Sequence, residues 1–237
     1  MKTILHKADS RGFADHGWLK SNHTFSFANY YDPDRVRFGL LRVLNDDTVE
    51  PGMGFGTHPH DNMEIVSIPI SGELAHKDST GKKEVIKTND VQIMSAGSGL
   101  SHSEFNNSKT DKVNFLQIWV FPKVKDIEPR HDQKTFSPQE RKNKLLTVIS
   151  PEKNNGTLWI NQDAYFSLGN LDEGTVIRHD IKKKNNGFYM FVIDGSIEIN
   201  GIKLDKRDAV GLEEIESAEI KALKDSEVLL IEVPMHI

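Results

Sequence analysis

Phe188-Tyr189-Met190-Phe191-Val192-Ile193-Asp194-Gly195-Ser196-Ile197-Glu198-Ile199-Asn200-Gly201-Ile202-Lys203-Leu204 carries the clearest structural signal in the chain. Three short segments rich in β-branched and aromatic residues are separated by Asp-Gly and Asn-Gly. Both central residues of a type I′ turn need positive φ, and these dipeptides supply it. The stretch therefore predicts an antiparallel meander with hairpins at 194–195 and 200–201.

The same grammar extends through both halves. Glu64–Ile70 predicts a strand ending at Ser71-Gly72, followed by Glu73–His76, a turn at Ser79–Gly81, then Val85-Ile86, Val91–Met94 and Val113–Phe121. The halves echo each other. Ile70-Ser71-Gly72-Glu73-Leu74 parallels Ile193-Asp194-Gly195-Ser196-Ile197, Asn89-Asp90-Val91 parallels Arg207-Asp208-Ala209, and Phe115–Pro122 parallels Val228–Pro234. A duplicated β-sandwich accounts for this, with a division near residue 125 inside a Pro- and charge-interrupted connection. One helix is predicted there, at Ser137-Pro138-Gln139-Glu140-Arg141, from an N-cap Ser, a first-turn Pro and an acidic residue three positions on.

Composition narrows the function. With 37% hydrophobic and 27% charged residues, the chain has the make-up of a globular protein. A net charge of −5 argues against direct nucleic-acid binding, which draws its affinity from basic groups on phosphates. No cysteine is present, so disulfides and thiolate-held zinc or iron–sulfur centres are excluded. No apolar run is long enough to cross a bilayer as a helix, and the N-terminus lacks a signal-peptide pattern, so the expected location is cytoplasmic.

Seven of the ten histidines lie at or before residue 102. On a strand, residues i and i+2 share a face. His58-Pro59-His60 then presents two imidazoles together, and Pro59 confines the segment to an edge or bulge. His102-Ser103-Glu104 presents an imidazole and a carboxylate in the same way, after the Gly-rich turn Gly97-Ser98-Gly99. Two such pairs on adjacent strands converge on one point as a metal ligand set, His58, His60, His102 and Glu104. A lone histidine is more often a packing residue, and His76 and His16 read that way. His131, His179 and His236 have no partner in sequence and receive no role. His23, Phe25, Phe27 and Trp119 are candidates for a substrate pocket.

These residues also carry a family resemblance. Gly52, His58-Pro59-His60 and Glu64 resemble the first cupin motif, with Gly72 one residue late for its final glycine. Gly97, Gly99, His102 and Asn106 resemble the second, with Gly97 in place of its usual proline. Together with Ser71-Gly72-Glu73, His76-Lys77-Asp78-Ser79, Asp90–Gly97 and the N-terminal His16–Leu19 and His23–Pro33, the pattern resembles the pirin family. Asp61–Ile65 and Gln117-Ile118-Trp119 are most similar to its bacterial, quercetinase-like branch. The resemblance implies an all-β bicupin: a metal-binding barrel over residues 1–125 and a metal-free barrel over 126–237. It implies that the carboxylate ligand is Glu104 from the second motif, which leaves Glu64 a structural or supporting role.

The implied activity is a quercetin (flavonol) 2,3-dioxygenase using O2 at one divalent ion. Fe(II) is favoured; Zn, Ni, Mn and Cu also suit nitrogen and oxygen donors. Glu104 would take the flavonol hydroxyl proton. The resemblance equally allows a non-catalytic, iron-binding partner of a regulatory protein. A metal-dependent isomerase or hydrolase is a third possibility, because fold does not fix function.

Overall fold

The computed structural model describes residues 1–153 and 155–236. Among them are 22 strands and a single three-residue 3-10 turn at Ala8–Ser10. The first half contains β1 (Lys2–His6), β2 (Gly12–Asp15), β3 (Leu19–His23), β4 (Leu41–Val49), β5 (Gly54–His60), β6 (Glu64–Ser71), β7 (Glu73–Asp78), β8 (Lys83–Lys87), β9 (Asp90–Ser95), β10 (Leu100–Asn106), β11 (Val113–Val120) and β12 (Arg130–Thr135). The second contains β13 (Leu146–Ser150), β14 (Leu158–Trp159), β15 (Tyr165–Leu171), β16 (Val176–Asp180), β17 (Asn186–Asp194), β18 (Ser196–Ile199), β19 (Ile202–Asp205), β20 (Ala209–Glu213), β21 (Ser217–Ala222) and β22 (Ser226–Pro234).

Each half pairs a seven-stranded sheet with a four-stranded one. The first half has β12-β9-β6-β11-β4-β3-β2 over β5-β10-β7-β8, and the second has β1-β20-β17-β22-β15-β13-β14 over β16-β21-β18-β19. From β4 to β11 the counterpart of each strand lies eleven strands further on, which is the duplication seen in sequence. The outermost strands cross over: β1 pairs with β20 in the second half, and β12 pairs with β9 in the first. The sheets therefore interleave across residue 125.

The two large sheets pack on each other. Val66, Ile68, Leu116 and Ile118 meet Phe166, Leu168, Tyr189, Phe191, Leu229 and Ile231 in the largest core cluster. Both faces of these sheets are buried, which explains the unbroken apolar run at 188–193. Tyr189, Phe191 and Ile193 enter the inter-barrel core, while Phe188, Met190 and Val192 fill the second barrel.

Three expectations change. Asn200-Gly201 does form a two-residue hairpin between β18 and β19, with φ of 47° and 80°. Asp194-Gly195 does not close a hairpin: β17 and β18 lie in different sheets, and of the two residues only Gly195 has positive φ (89°). The chain steps from one sheet to the other there, as it does at Gly72 (φ 80°). Ser137–Arg141 is a turn and not a helix. The capping interactions form, since the Ser137 N–H and Oγ–H both donate to Glu140 Oε2 at 2.8 Å. The backbone bonds that follow span three residues and lengthen from 3.1 to 3.4 Å, and Asn143 leaves at φ 53° to bond Asn170. Finally, Phe25 belongs to the inter-barrel core, 5.7 Å from the Tyr189 ring and only 2% exposed, and does not line the pocket.

Candidate metal centre

β5 is the edge of the four-stranded sheet, which is where Pro59 is tolerated. It pairs with β10 so that His102 lies opposite His58, with a register shift between His102 and Glu104. The alternation predicted from sequence is present: His102 and Glu104 are buried while Ser103 is half-buried. The three imidazoles converge, with ring centroids 4.4 Å (His58–His102), 4.9 Å (His58–His60) and 5.0 Å (His60–His102) apart. One ring nitrogen from each lies within 4.8 Å of the others, and Glu104 groups at the same separation with His102 and His76.

The local chemistry favours ligation over cationic histidine. Burial holds the His102 imidazole down to about 3, helped by repulsion from His58, and holds His60 down to about 4, helped by His102. Both are neutral near pH 7, the form that coordinates. His58 Nδ1 donates to the Gly56 carbonyl at 2.8 Å, which leaves Nε2 as the bare nitrogen. Both His102 ring nitrogens are buried without a hydrogen-bond partner. Buried orphan nitrogens are costly unless something satisfies them, so the residues present fit a divalent cation.

Glu104 is oriented from behind. Ser67 Oγ donates to its Oε1 at 2.8 Å and Gln117 Nε2 to its Oε2 at 2.7 Å. Sequence reasoning passed over both donors, although a Gln inside the apolar run Phe115–Val120 was the available signal. Glu64 does not point into this cluster. It is 1% exposed and accepts from Ser95 Oγ at 2.8 Å and from the Asn161 amide at 3.1 Å, tying the barrels together.

A cavity of about 410 Å³ opens onto His58, His60 and Glu104. Phe27, Trp18, Phe55 and Trp119 form its aromatic wall, and His16, His23, Asn45, Asp47 and Gln117 add polar groups. Of the pocket candidates, His23, Phe27 and Trp119 line this cavity. Trp119 stands edge-on to Phe27 at 5.4 Å and to His60 at 5.0 Å. Burial lowers His23, whose Nδ1 donates a 3.0 Å bond to Asn45 Oδ1, and pushes the fully buried Asp47 carboxyl up to about 7. His131, given no role from sequence, stacks at 4.8 Å on His76, expected to be a packing residue, just behind His102.

The Pirin family model matches residues 5–120, and the model of the quercetinase C-terminal cupin domain matches residues 147–233. The chain belongs to the pirin family. Among its relatives, the quercetin 2,3-dioxygenase of Escherichia coli strain K12 is 43% identical over 232 residues, spanning 97% of this chain and 98% of that one. A pirin-like protein of Caulobacter vibrioides is 38% identical, spanning 94% and 96%. The crystal structure of the Escherichia coli pirin YhhW in complex with nickel(II) superposes with a TM-score of 0.93 at 41% identity, covering 98% of this chain and 99% of that one. A quercetin 2,3-dioxygenase structure from Acinetobacter baumannii shares the pirin bicupin fold with a TM-score of 0.73 at 20% identity. No helix among the described residues is long and apolar enough to cross a membrane.

Proposed function

We propose that this pirin is a metal-dependent dioxygenase that cleaves flavonols such as quercetin at a single ion held by His58, His60, His102 and Glu104. The observation that carries the reading is the convergence of three imidazoles, two of them opening on an aromatic-walled cavity, with an oriented carboxylate beside His102. The relatives named quercetin 2,3-dioxygenase support the substrate class. Fe(II) is the ion assigned first, and Ni, Mn, Cu and Zn suit the same donors. Bound there, such an ion supplies Lewis acidity for the substrate's hydroxyl and carbonyl and, where redox-active, a path for dioxygen to react with the flavonol anion.

The chain's own residues supply the rest. Glu104, kept in place by Ser67 and Gln117, accepts the proton of the 3-hydroxyl at a carboxylate oxygen. Phe27 and Trp119 flank the flat rings and exclude water. His23 and Asn45 lie where ring hydroxyls need polar partners. Both atoms of O2 enter the flavonol, its central ring opens and carbon monoxide leaves, so the reaction balances without a reductant.

Metal-free protein loaded in turn with Fe, Mn, Ni, Cu or Zn tests this directly. Loss of flavonol absorbance matched by oxygen uptake is expected with at least one ion. The absence of turnover with every ion contradicts the flavonol assignment.

A further inference from the structure

We propose that the N-terminal barrel has a second divalent-cation site, of the zinc(II) type, formed by His76, Asp78 and His131 at the seam between its two sheets. One donor atom from each of the three residues lies within 4.8 Å of the others. His76 and Asp78 are 2% and 5% exposed, and the His131 side chain is 1% exposed.

Their hydrogen bonding leaves buried ring nitrogens without partners. Asp78 Oδ1 is taken by the loop that follows β7, through the Thr80 amide at 2.8 Å, the Thr80 hydroxyl at 2.5 Å and the Lys82 amide at 3.3 Å. Its Oδ2 faces His76 Nε2 at 3.1 Å, a separation that two ligands of one small cation also adopt. His76 Nδ1 and His131 Nε2 are buried with no partner at all. The two rings stack at 4.8 Å with 25° between their planes. Buried ring nitrogens without a partner cost stability, and a bound cation offsets that cost for any nitrogen it takes.

The position in the fold gives access and a carboxylate beside the outer ring nitrogen of His131. β12 is the edge of the large sheet and β8 the edge of the small one, and side chains close the gap between them. Glu84 on β8 places Oε2 3.7 Å from His131 Nδ1 and keeps 34% of its side chain exposed. It stands at the mouth of the seam as a gate to solvent. Two imidazoles and one carboxylate are donors that suit zinc(II), and an ion there would pin the two sheet edges. The triad lies against the pocket site, since His76 also groups with His102 and Glu104, but Asp78 and His131 group only with His76.

Chelator-stripped protein titrated with Zn(II), with bound metal measured by elemental analysis after dialysis, tests the proposal. Wild type is expected to hold two equivalents, and His58→Ala and His131→Ala one each. Co(II) in His58→Ala should give the intense visible absorption of a tetrahedral site, and His131→Ala should lose it. Should His131→Ala fold poorly, Glu84→Gln is expected to weaken the same equivalent about tenfold. A single wild-type equivalent that vanishes in His58→Ala overturns the second site, and the triad is then a scaffold behind His102. A single equivalent that survives His58→Ala and vanishes in His131→Ala supports it while removing the pocket site. Two equivalents that both survive His131→Ala also overturn it.

Discussion

The two barrels share one frame but differ in a single layer. Strand register maps Ser67 onto Met190 and Gln117 onto Leu230, since each pair occupies the same rung of the large sheet. It likewise maps His76 onto Ile199 and Glu104 onto Ile220. On the next inward rung of β10 and β21, His102 corresponds to Ala218. The C-terminal layer joins an apolar cluster with Phe188, Val210 and Leu212. The N-terminal layer is a belt of polar side chains between two small apolar clusters, one around Phe115 and the other around Met94. The frame and the inter-barrel core hold the fold, and replacing one layer converts a packed barrel into a site.

The largest effect is expected from importing the C-terminal residue. His102→Ala places what the other barrel has at Ala218, and loss of the pocket ion is predicted while the metal-free fold melts no lower than wild type. Elemental analysis and thermal denaturation measure the two parts. The reverse exchange should fail: Leu230→Gln buries an amide without partners in the apolar barrel and should cost about 3 kcal/mol in denaturant unfolding. Gln117→Leu removes one of the donors that orient Glu104. Metal affinity should fall about 10–100-fold with little change in metal-free stability.

The smallest effect is pH dependence. His6 and His102 are held near 4 and 3 by burial, below their unfolded value. Above about pH 6.5 these two imidazoles are neutral in both states and add no slope of their own. As pH falls toward 4 the unfolded chain takes protons that the folded one refuses, so metal-free protein should lose up to about 1.4 kcal/mol per pH unit for each group. His102→Ala should show a shallower slope.

Strand pattern made the duplicated β architecture legible, and period-two alternation made the meeting of His58, His60 and His102 legible, with Glu104 beside His102. Sheet membership was not, because a turn such as Asp194-Gly195 reads alike whether it closes a hairpin or crosses between sheets. Phe25 and Phe27 share a parity yet part company, because the chain leaves β3 at His23 and Phe27 folds back to bridge Tyr30. His131 meets His76 only through the crossover of β12, a contact without local signature. The Ser137 cap was read correctly as a cap. The helix it predicts is overridden when the chain turns to join Asn170.

Anomalous scattering from crystals of the Ni(II)-loaded protein locates the pocket ion most directly. The account predicts a peak about 2.0–2.2 Å from a ring nitrogen of His58, His60 and His102 and from a Glu104 oxygen. A loaded crystal with no peak within reach of those three rings would contradict it.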